Sequence, residues 1–259
     1  TEININRLHF TLNLPGKPPA LGEPVFPLVL LILGEPSARI NELGEDGHPA
    51  RGGFMPPVPL KRRMFAGGDY EFFRPLKVGD KLSINWRIND IIHKTGSSGE
   101  LVFVDILRQF KVNHQLCANE IRHIVYTDSK PKTDQNDESE IPGEWKETIS
   151  TNEIQLFRYS ALTFNGHRIH YDRPYAKELE GYPGLVVHGP LLATMLSLFA
   201  ERQTGRKLRK FSFRGKRPIF DSNVFTLTGG FLGKDSAEFR VLDHQSQLSI
   251  SAEVEFKKI

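Results

Sequence analysis

Runs of alternating apolar and polar residues predict most of the secondary structure of this chain. The first half contains three of them, over residues 82–88, 101–112 and 116–126, separated by a polar loop at 94–100 and a turn at 113–114. Because the side chains of a strand point alternately to opposite faces of a sheet, each run predicts a strand with one buried face. Long strands joined by short polar turns indicate an antiparallel meander.

The second half repeats this arrangement. Its alternating runs lie over residues 224–232, 237–242 and 248–256, with turns at 233–235 and near Asp243. The second half therefore predicts another antiparallel meander.

A local motif is also shared by the two halves. An Arg-Pro-aliphatic step leads through a polar turn into the meander at residues 73–82 and again at 216–225. Internal similarity of this kind indicates two related units packed together.

Each half carries an apolar segment ahead of its meander, and the segment in the second half is a clear helix. Pro190 suits a first helical turn, Gly205 suits a helix end, and the residues up to Glu201 are apolar around most of the circumference. A helix of this kind must be surrounded by protein. An antiparallel sheet curled around one buried helix is the hot-dog fold, so we predict an α+β double hot-dog with two sheets, each wrapped around a central helix.

The corresponding helix of the first half, within residues 25–33, is shorter and is interrupted by Pro27. If it fills less of the concave face of its sheet, room remains there for a ligand.

A polar segment divides the chain into these halves. Residues 129–140 contain no aliphatic or aromatic side chain and are rich in charge, so they cannot be ordered by burial. We predict an N-terminal hot-dog domain over 1–128, a linker over 129–145 and a C-terminal catalytic hot-dog domain over 146–259.

Composition limits the class of protein. Of the 259 residues, 39% are hydrophobic and 25% are charged, and no apolar run approaches the roughly 20 residues that span a membrane. No secretory signal is visible, and the single cysteine, Cys117, lies in a strand-like run where we expect a buried, inert thiol. These features exclude an intramolecular disulfide and suggest a reducing compartment, the cytoplasm or, in a eukaryote, the mitochondrial matrix.

The net charge is only +3, but basic residues cluster at 206–210 and at Arg214, Lys216 and Arg217. Such a cluster can face nucleic acid, a phosphorylated ligand or water. Because the chain has no zinc-finger spacing and no RNP-like aromatic motif, we predict no nucleic-acid partner.

The segment TFNGHRIHYD, residues 163–172, concentrates groups that can exchange protons. His167 and His170 lie in it, and His188 directly precedes the predicted helix, whose first N–H groups lack intrahelical partners. The N–H of Gly189 could therefore stabilise an oxyanion, although the glycine could equally serve a tight turn. Taken singly, His170 could also be a hydrogen-bonded core residue.

We expect no metal, because His167 and His170 have no third ligand at a recognisable spacing. Arg158 could be an outward-facing strand residue or a partner for a carboxylate.

Three segments carry a family resemblance. Residues 157–192, FRYSALTFNGHRIHYDRPYAKELEGYPGLVVHGPLL, together with 47–60 and 62–68, resemble the MaoC-like dehydratases, in the branch of mesaconyl-CoA and itaconyl-CoA hydratases and mitochondrial 3-hydroxyacyl-thioester dehydratases. The resemblance implies a hydro-lyase that adds or removes water across the 2,3-bond of an acyl-CoA thioester. It also implies no cofactor, since CoA is part of the substrate.

The resemblance assigns the catalytic residues, with departures from the family pattern at Asn165, His167 and Arg168. In the family pattern D-x-N-P-x-H, Asn165 stands in the place of the Asp, His167 in that of the Asn and His170 in that of the His. An amide cannot take a proton near neutral pH. Our hypothesis is that His170 alone moves protons, that Asn165 orients the water, and that the Gly189 N–H holds the thioester carbonyl.

The remaining candidates are predicted to bind substrate. We expect the basic segments to hold the CoA phosphates and Arg62 or Arg63 to contact CoA or a substrate carboxylate. The predicted binding residues are His167, His188, Arg158, Arg62, Arg63, Arg209 and Arg214.

Other functions remain open at this point. A hot-dog thioesterase would need an Asp or Glu base near the helix end, which Asn165 does not supply, and a non-catalytic acyl-CoA-binding module is a further alternative. The acyl group could be a short branched dicarboxylic one, such as mesaconyl or itaconyl, or a fatty acyl chain. Long sheet edges could also recruit a second copy as a homodimer.

Overall fold

The computed structural model describes residues 1–35, 37–96, 99–129 and 143–258. The predicted linker, residues 129–145, lies mostly outside the described residues, and Trp145 already belongs to a strand. The helices are α1 (Glu2–Thr11), α2 (Glu153–Thr163) and α3 (Gly189–Thr204), and the strands are β1 (Arg62–Phe72), β2 (Leu82–Gly96), β3 (Gly99–Val112), β4 (Gln115–Thr127), β5 (Trp145–Ile149), β6 (Leu208–Gly215), β7 (Phe225–Gly233), β8 (Ser236–Leu242) and β9 (Leu248–Phe256).

All strands join one antiparallel sheet in the order β2-β3-β4-β1-β6-β9-β8-β7-β5. The predicted meanders are present on either side of a central pair, β1 and β6, whose register places Asp69 opposite Ser212. The two sheets expected from the sequence are therefore continuous, joined edge to edge. The helix of the second half packs against β1, β6, β7 and β8, and residues 28–32 of the first half share a buried core with Tyr70 and Phe110. The structure therefore has the predicted hot-dog fold.

The internal repeat is visible in equivalent hydrogen bonds. The Val25 N–H donates to the Leu76 carbonyl at 2.9 Å in the first half, and the Val187 N–H donates to the Ile219 carbonyl at 2.8 Å in the second. Leu76 and Ile219 are the aliphatic residues of the two Arg-Pro steps. A helix begins two residues after each of these valines, so the two buried segments occupy equivalent places.

The buried segments differ in length. In the second half α3 extends over 16 residues and ends at Gly205, whose φ of +64° is the left-handed conformation that glycine adopts readily. Its apolar side chains pack against the concave face of the sheet, and Leu191, Ala193 and Leu196 are completely buried.

The first-half segment is a 3₁₀ helix of six residues, Pro27–Ile32. It begins at the proline, which has no N–H to donate and is tolerated at a first turn. The short segment leaves part of the concave face of β1–β4 unfilled, and Trp86, Ile106 and Ile124 line a cavity there. The expectation that room remains beside this helix is confirmed.

Two local predictions are wrong. Residues around Arg158 form helix α2 rather than a strand, because the Asn152 side chain caps the helix by accepting the Gln155 N–H at 2.9 Å. The polar loop expected at 94–100 belongs largely to a longer hairpin, since Lys94 pairs with Leu101 and Thr95 with Glu100.

The thiol prediction is confirmed, because Cys117 is buried in β4. None of the helices in the described part of the chain is long and apolar enough to cross a membrane.

Candidate active site

A cavity of about 1330 Å³ lies where the two halves of the chain meet. Side chains of β1–β4 form one wall. The TFNGHRIHYD segment and the first residues of α3 form another, so three predicted catalytic residues, Asn165, His170 and Gly189, line the same space.

His170 lies at the end of a short 3₁₀ turn, Arg168–His170, and is 7% exposed. Its Nδ1 lies 2.7 Å from the Val186 carbonyl oxygen. Because a carbonyl can only accept, Nδ1 carries the hydrogen of the neutral ring and Nε2 is left with its lone pair. The ring is therefore prepared to act as a base through Nε2.

Burial lowers the pKa of His170 to about 4, against the raising effect of the Val186 hydrogen bond and with a smaller lowering contribution from the charge of His48. At neutral pH the ring is therefore uncharged, as a proton acceptor must be.

The ring of His188 packs against the face of the His170 ring. The two rings stack with centroids 3.7 Å apart and an angle of 18° between planes. His188 Nε2 lies 2.8 Å from the Ser160 hydroxyl, and burial, followed by the charges of His170 and His167, holds the pKa of His188 well below its usual value. A buried, neutral His188 fixes the plane of the His170 ring.

Gly189 follows His188 directly and is the first residue of α3. Its N–H belongs to the first helical turn, where the macrodipole places partial positive charge, and Pro190 beside it has no N–H to contribute. A Cβ built on Gly189 would meet no atom closer than the Phe65 carbonyl oxygen at 4.0 Å. The space beside the Cα of Gly189 is therefore open, and Gly189 lines the cavity.

Asn165 and His167 lie between α2 and His170. The Asn165 Oδ1 accepts the His167 backbone N–H at 3.0 Å, which fixes the turn. The His167 ring makes an edge contact with His170 at 5.4 Å between centroids, and burial, followed by the charges of His48 and His170, holds its pKa well below the usual value.

A residue that the sequence analysis did not assign completes this row of rings. His48, from the first half, lies 4.2 Å from His167 between centroids and hydrogen-bonds to Asp46 through Nδ1 at 3.0 Å. The signal was present in the sequence, since both residues belong to or adjoin the segment 47–60 that carries the family resemblance.

Asp46, His48 and His167 offer donor atoms within 4.8 Å of one another, a separation that could suit a metal ion. The sequence analysis expected no metal because His167 and His170 have no third ligand at a recognisable spacing. This cluster contains His167 but not His170, and its other two groups come from the first half of the chain. The positive charges of Arg63 and Arg51, however, already lower the pKa of His48, and they would oppose a cation in the same way.

Of the arginines expected to bind substrate, Arg63 lines the cavity. Its Nη2 lies 3.5 Å from the Pro49 carbonyl oxygen, and it has no carboxylate partner within the described ranges. Arg62, its neighbour, points away and forms an ion pair with Glu180 at 3.1 Å.

The other predicted arginines lie elsewhere. Arg158 is exposed on α2, Arg209 pairs with Glu71 and Glu255, and Arg214 pairs with Asp69 at 2.9 Å. None of the three is among the residues that line the cavity, whose basic residues on this side are Lys216 and Arg217.

Arg122 and Glu35 also line the cavity, but their charges are satisfied by one another at 2.9 Å and by a buried network beneath them. In that network Arg108 and Glu120, both completely buried, lie 2.8 Å apart. Arg63 and Arg51 also line the cavity, and neither has a carboxylate partner among the described residues. Arg51 donates instead to the carbonyl oxygens of Val58, Leu60 and Lys61.

Solved structures with this architecture include HtdX from Mycobacterium tuberculosis and a MaoC-like dehydratase from Phytophthora capsici. HtdX superposes with a TM-score of 0.73 at 15% identity, covering 98% of this chain and 96% of its own. The Phytophthora structure gives a TM-score of 0.71 at 14% identity, covering 100% and 93%. At these identities the likeness shows the fold alone.

Sequence comparison goes further. The chain is 43% identical to mesaconyl-C(4)-CoA hydratase of Chloroflexus aurantiacus over 84% of its length and 79% of that protein. It is 30% identical to the mitochondrial hydroxyacyl-thioester dehydratase type 2 of Schizosaccharomyces pombe over 76% of its length and 74% of that protein. The sequence model of hydroxyacyl-thioester dehydratase type 2 matches residues 30–221, and the chain therefore belongs to this family of hydro-lyases.

Proposed function

We propose that the chain catalyses the reversible addition of water across the 2,3-double bond of an enoyl-CoA whose acyl group carries a free carboxylate. The observation that carries this proposal is the neutral imidazole of His170, which presents Nε2 beside the open N-terminus of α3 in one cavity.

The helix end would activate the substrate. With the thioester carbonyl oxygen hydrogen-bonded to the Gly189 N–H, electron density is drawn from C3, and the negative charge that develops on the oxygen is stabilised by the amide and the helix dipole. The missing side chain of Gly189 allows the approach that this contact requires.

His170 would then move the proton. Its Nε2 takes one proton from water while the water oxygen bonds to C3, and the electron pair of the double bond moves to the thioester oxygen as an enolate. When the enolate collapses, the same imidazole gives its proton to C2. Water is added in full, the ring returns to its neutral form, and the scheme uses no redox cofactor. Asn165 is assigned the orientation of this water.

Two observations support the substrate class. The relative with 43% identity is named for a mesaconyl thioester. In this chain the guanidinium of Arg63 faces the cavity without an ion-pair partner in the described segments, which suits a bidentate contact with a carboxylate. Lys216 and Arg217 lie on the cavity wall, and their positive charges suit contacts with the phosphates of CoA.

A panel of crotonyl-, mesaconyl-, itaconyl- and long-chain enoyl-CoA esters tests the proposal, with the gain of one water followed by mass spectrometry and free thiol measured in parallel. We expect hydration, fastest for the dicarboxylic esters, without thiol release. Release of thiol without hydration would establish a thioesterase instead. Binding without either reaction would establish a binding module.

The Arg63 assignment has its own control. We expect Arg63→Gln to raise KM for a dicarboxylic ester by about tenfold or more while leaving crotonyl-CoA nearly unchanged, as for loss of a charge-assisted contact. Arg62→Gln, in which the neighbouring arginine loses its pairing with Glu180, should not discriminate between the two esters. Equal effects of Arg63→Gln on both would remove the carboxylate from the proposal.

A further inference from the structure

One imidazole of the cavity comes from the first half of the chain and has no part in the scheme above. His48 lies in a tight turn, where the Asp46 Oδ1 accepts its backbone N–H at 3.0 Å and the Asp46 Oδ2 lies 3.0 Å from its Nδ1. The side chain is 23% exposed and lines the cavity.

The carboxylate decides the tautomer of this ring. Burial raises the pKa of Asp46, but the hydrogen bonds and charge of His48 outweigh it and hold that pKa well below its usual value. An ionised carboxylate only accepts, so Nδ1 of His48 carries the hydrogen and Nε2 keeps a lone pair. Nε2 has no hydrogen-bond partner in the parts of the chain that the structure describes.

Burial, together with the charges of Arg63 and Arg51, lowers the pKa of His48 despite the carboxylate of Asp46. The ring is therefore neutral near pH 7, and its free nitrogen can accept a hydrogen bond.

The turn is fixed directly to the reacting segment. The Arg168 N–H donates to the Asp46 carbonyl at 3.0 Å. Gly47 packs against Gly166 so closely that a Cβ on Gly166 would lie 2.6 Å from the Gly47 carbonyl oxygen. Two glycines in contact thus hold His48 in a set position beside His167, and His167 in turn contacts His170.

The proposed reaction needs a second acceptor. A water molecule that gives one hydrogen to His170 has another O–H, which must also be oriented for the oxygen to face C3. The contact assigned to Asn165 is a donor contact from its NH₂ group to the water oxygen, since one lone pair of its Oδ1 already accepts the His167 N–H.

We infer that His48, held by Asp46, is a catalytic residue of this centre, whose Nε2 accepts the second hydrogen of the reacting water and, in the reverse direction, the hydrogen of the 3-hydroxyl group. This inference rests on the proposed hydration. One O–H bond of water breaks and its proton goes to His170, the oxygen bonds to C3, and the other hydrogen stays on that oxygen. C2 takes its proton from His170, so His48 ends the cycle unchanged and no additional proton is needed.

The first half of the chain thus supplies a catalytic side chain as well as one wall of the cavity. The carboxylate that is missing at position 165 is replaced in function by Asp46, which acts through an imidazole.

Steady-state kinetics of His48→Ala and Asp46→Asn test the inference, together with the affinity of each variant for a saturated acyl-CoA, which has no 3-oxygen. We expect His48→Ala to lower kcat on the order of 10²-fold, as for removal of one preorganised polar group. Asp46→Asn should lower kcat about tenfold, because a neutral amide no longer requires the hydrogen to stay on Nδ1 of His48. Binding of the saturated ester should stay within about twofold in both variants, since the missing contact is made only to the 3-oxygen. Glu45→Gln, which removes an exposed charge from the same turn, is the matched control and should behave as wild type.

Each other outcome overturns the inference. If His48→Ala keeps its kcat while His170→Ala loses it, the hydratase function stands and His48 has no catalytic part. If kcat, affinity for the saturated ester and melting temperature fall together, the turn has a packing role only. If the wild-type protein hydrates no enoyl thioester, the proposed function fails first and this inference with it.

Discussion

The Val186 carbonyl oxygen accepts a 2.7 Å hydrogen bond from Nδ1 of His170, and this contact leaves Nε2 as the free nitrogen of the ring. The carbonyl comes from the strand-like segment that precedes α3. The residues that position the helix end therefore also orient the imidazole. The predictions below follow from this coupling and from the walls of the cavity.

Replacement of His170 should abolish most of the activity. We expect His170→Ala to lower kcat by 10²–10⁴-fold, the range for a general acid–base group, with the far-ultraviolet spectrum unchanged. The assay is water addition to the ester that wild type hydrates fastest. His244→Ala, at an exposed histidine before β9, is the control, and near-normal turnover of His170→Ala would refute the assignment.

The dependence of kcat/KM on pH should reflect the buried state of that ring. Burial lowers the pKa of His170 to about 4, and protonation removes the lone pair that takes the proton from water. Activity should therefore persist from about pH 8 to about pH 5 and be lost only as the pH falls through about 4, whereas an unperturbed histidine would lose it near pH 6.5. Stopped-time assays after brief exposure to each pH, with recovery at pH 7, separate titration from unfolding. A limb centred near pH 6.5 would contradict the prediction.

Asn165→Asp should give a folded enzyme of altered rate. The carboxylate can keep the hydrogen bond from the His167 N–H, so the turn should survive. Its negative charge would favour protonated imidazole nearby, and the acid limb of kcat/KM should move to higher pH. An unchanged rate and pH profile would show that position 165 does not contact the water.

Gly189→Ala should separate binding from folding. The new methyl group would find no atom of the protein closer than 4.0 Å and alanine favours helix, so the melting temperature should not fall. The methyl would instead occupy the open space beside the Cα, and we expect kcat to fall by about 10²-fold or more. Full activity in this variant would exclude a close contact between the Gly189 N–H and the thioester.

Charge reversal should distinguish the two basic regions. Lys216 lines the cavity, whereas Lys207 pairs with Glu201 at 2.8 Å on the exposed surface. We expect Lys216→Glu to raise KM for the CoA ester and to weaken its dependence on salt, while Lys207→Glu leaves both unchanged. The opposite result would place the CoA phosphates at residues 206–210.

The strands and α3 could be predicted because their signals are local. Alternation along residues 248–256 and the apolar circumference of 190–201 need no knowledge of distant contacts, and both appear in the structure within one or a few residues. Helix α2 was missed because its apolar residues resemble a strand. The Asn152 cap, with Gln155 three residues later, was the signal that could have corrected the prediction.

The site was less accessible from the sequence than the fold. His170 and Gly189 could be proposed together because they lie close together along the chain, whereas His48 enters the same cavity through packing of the turn at Gly47 against Gly166. The basic residues were misjudged for a similar reason. Arg209 and Arg214 are neutralised by Glu255 and Asp69, which are brought beside them by strands from other parts of the chain.

The two lobes that meet at β1 and β6 belong to one polypeptide, and this has a consequence for how the cavity can be enlarged. In a pair of identical chains every substitution appears twice, so shortening the buried helix to make space in one lobe would also shorten the helix of the other. Here the two lobes are covalently one polypeptide, and each can be altered without its counterpart. The first lobe can thus have a 3₁₀ helix of six residues, which leaves space for a cavity. The second lobe keeps the 16-residue α3, with its helix dipole, and His170.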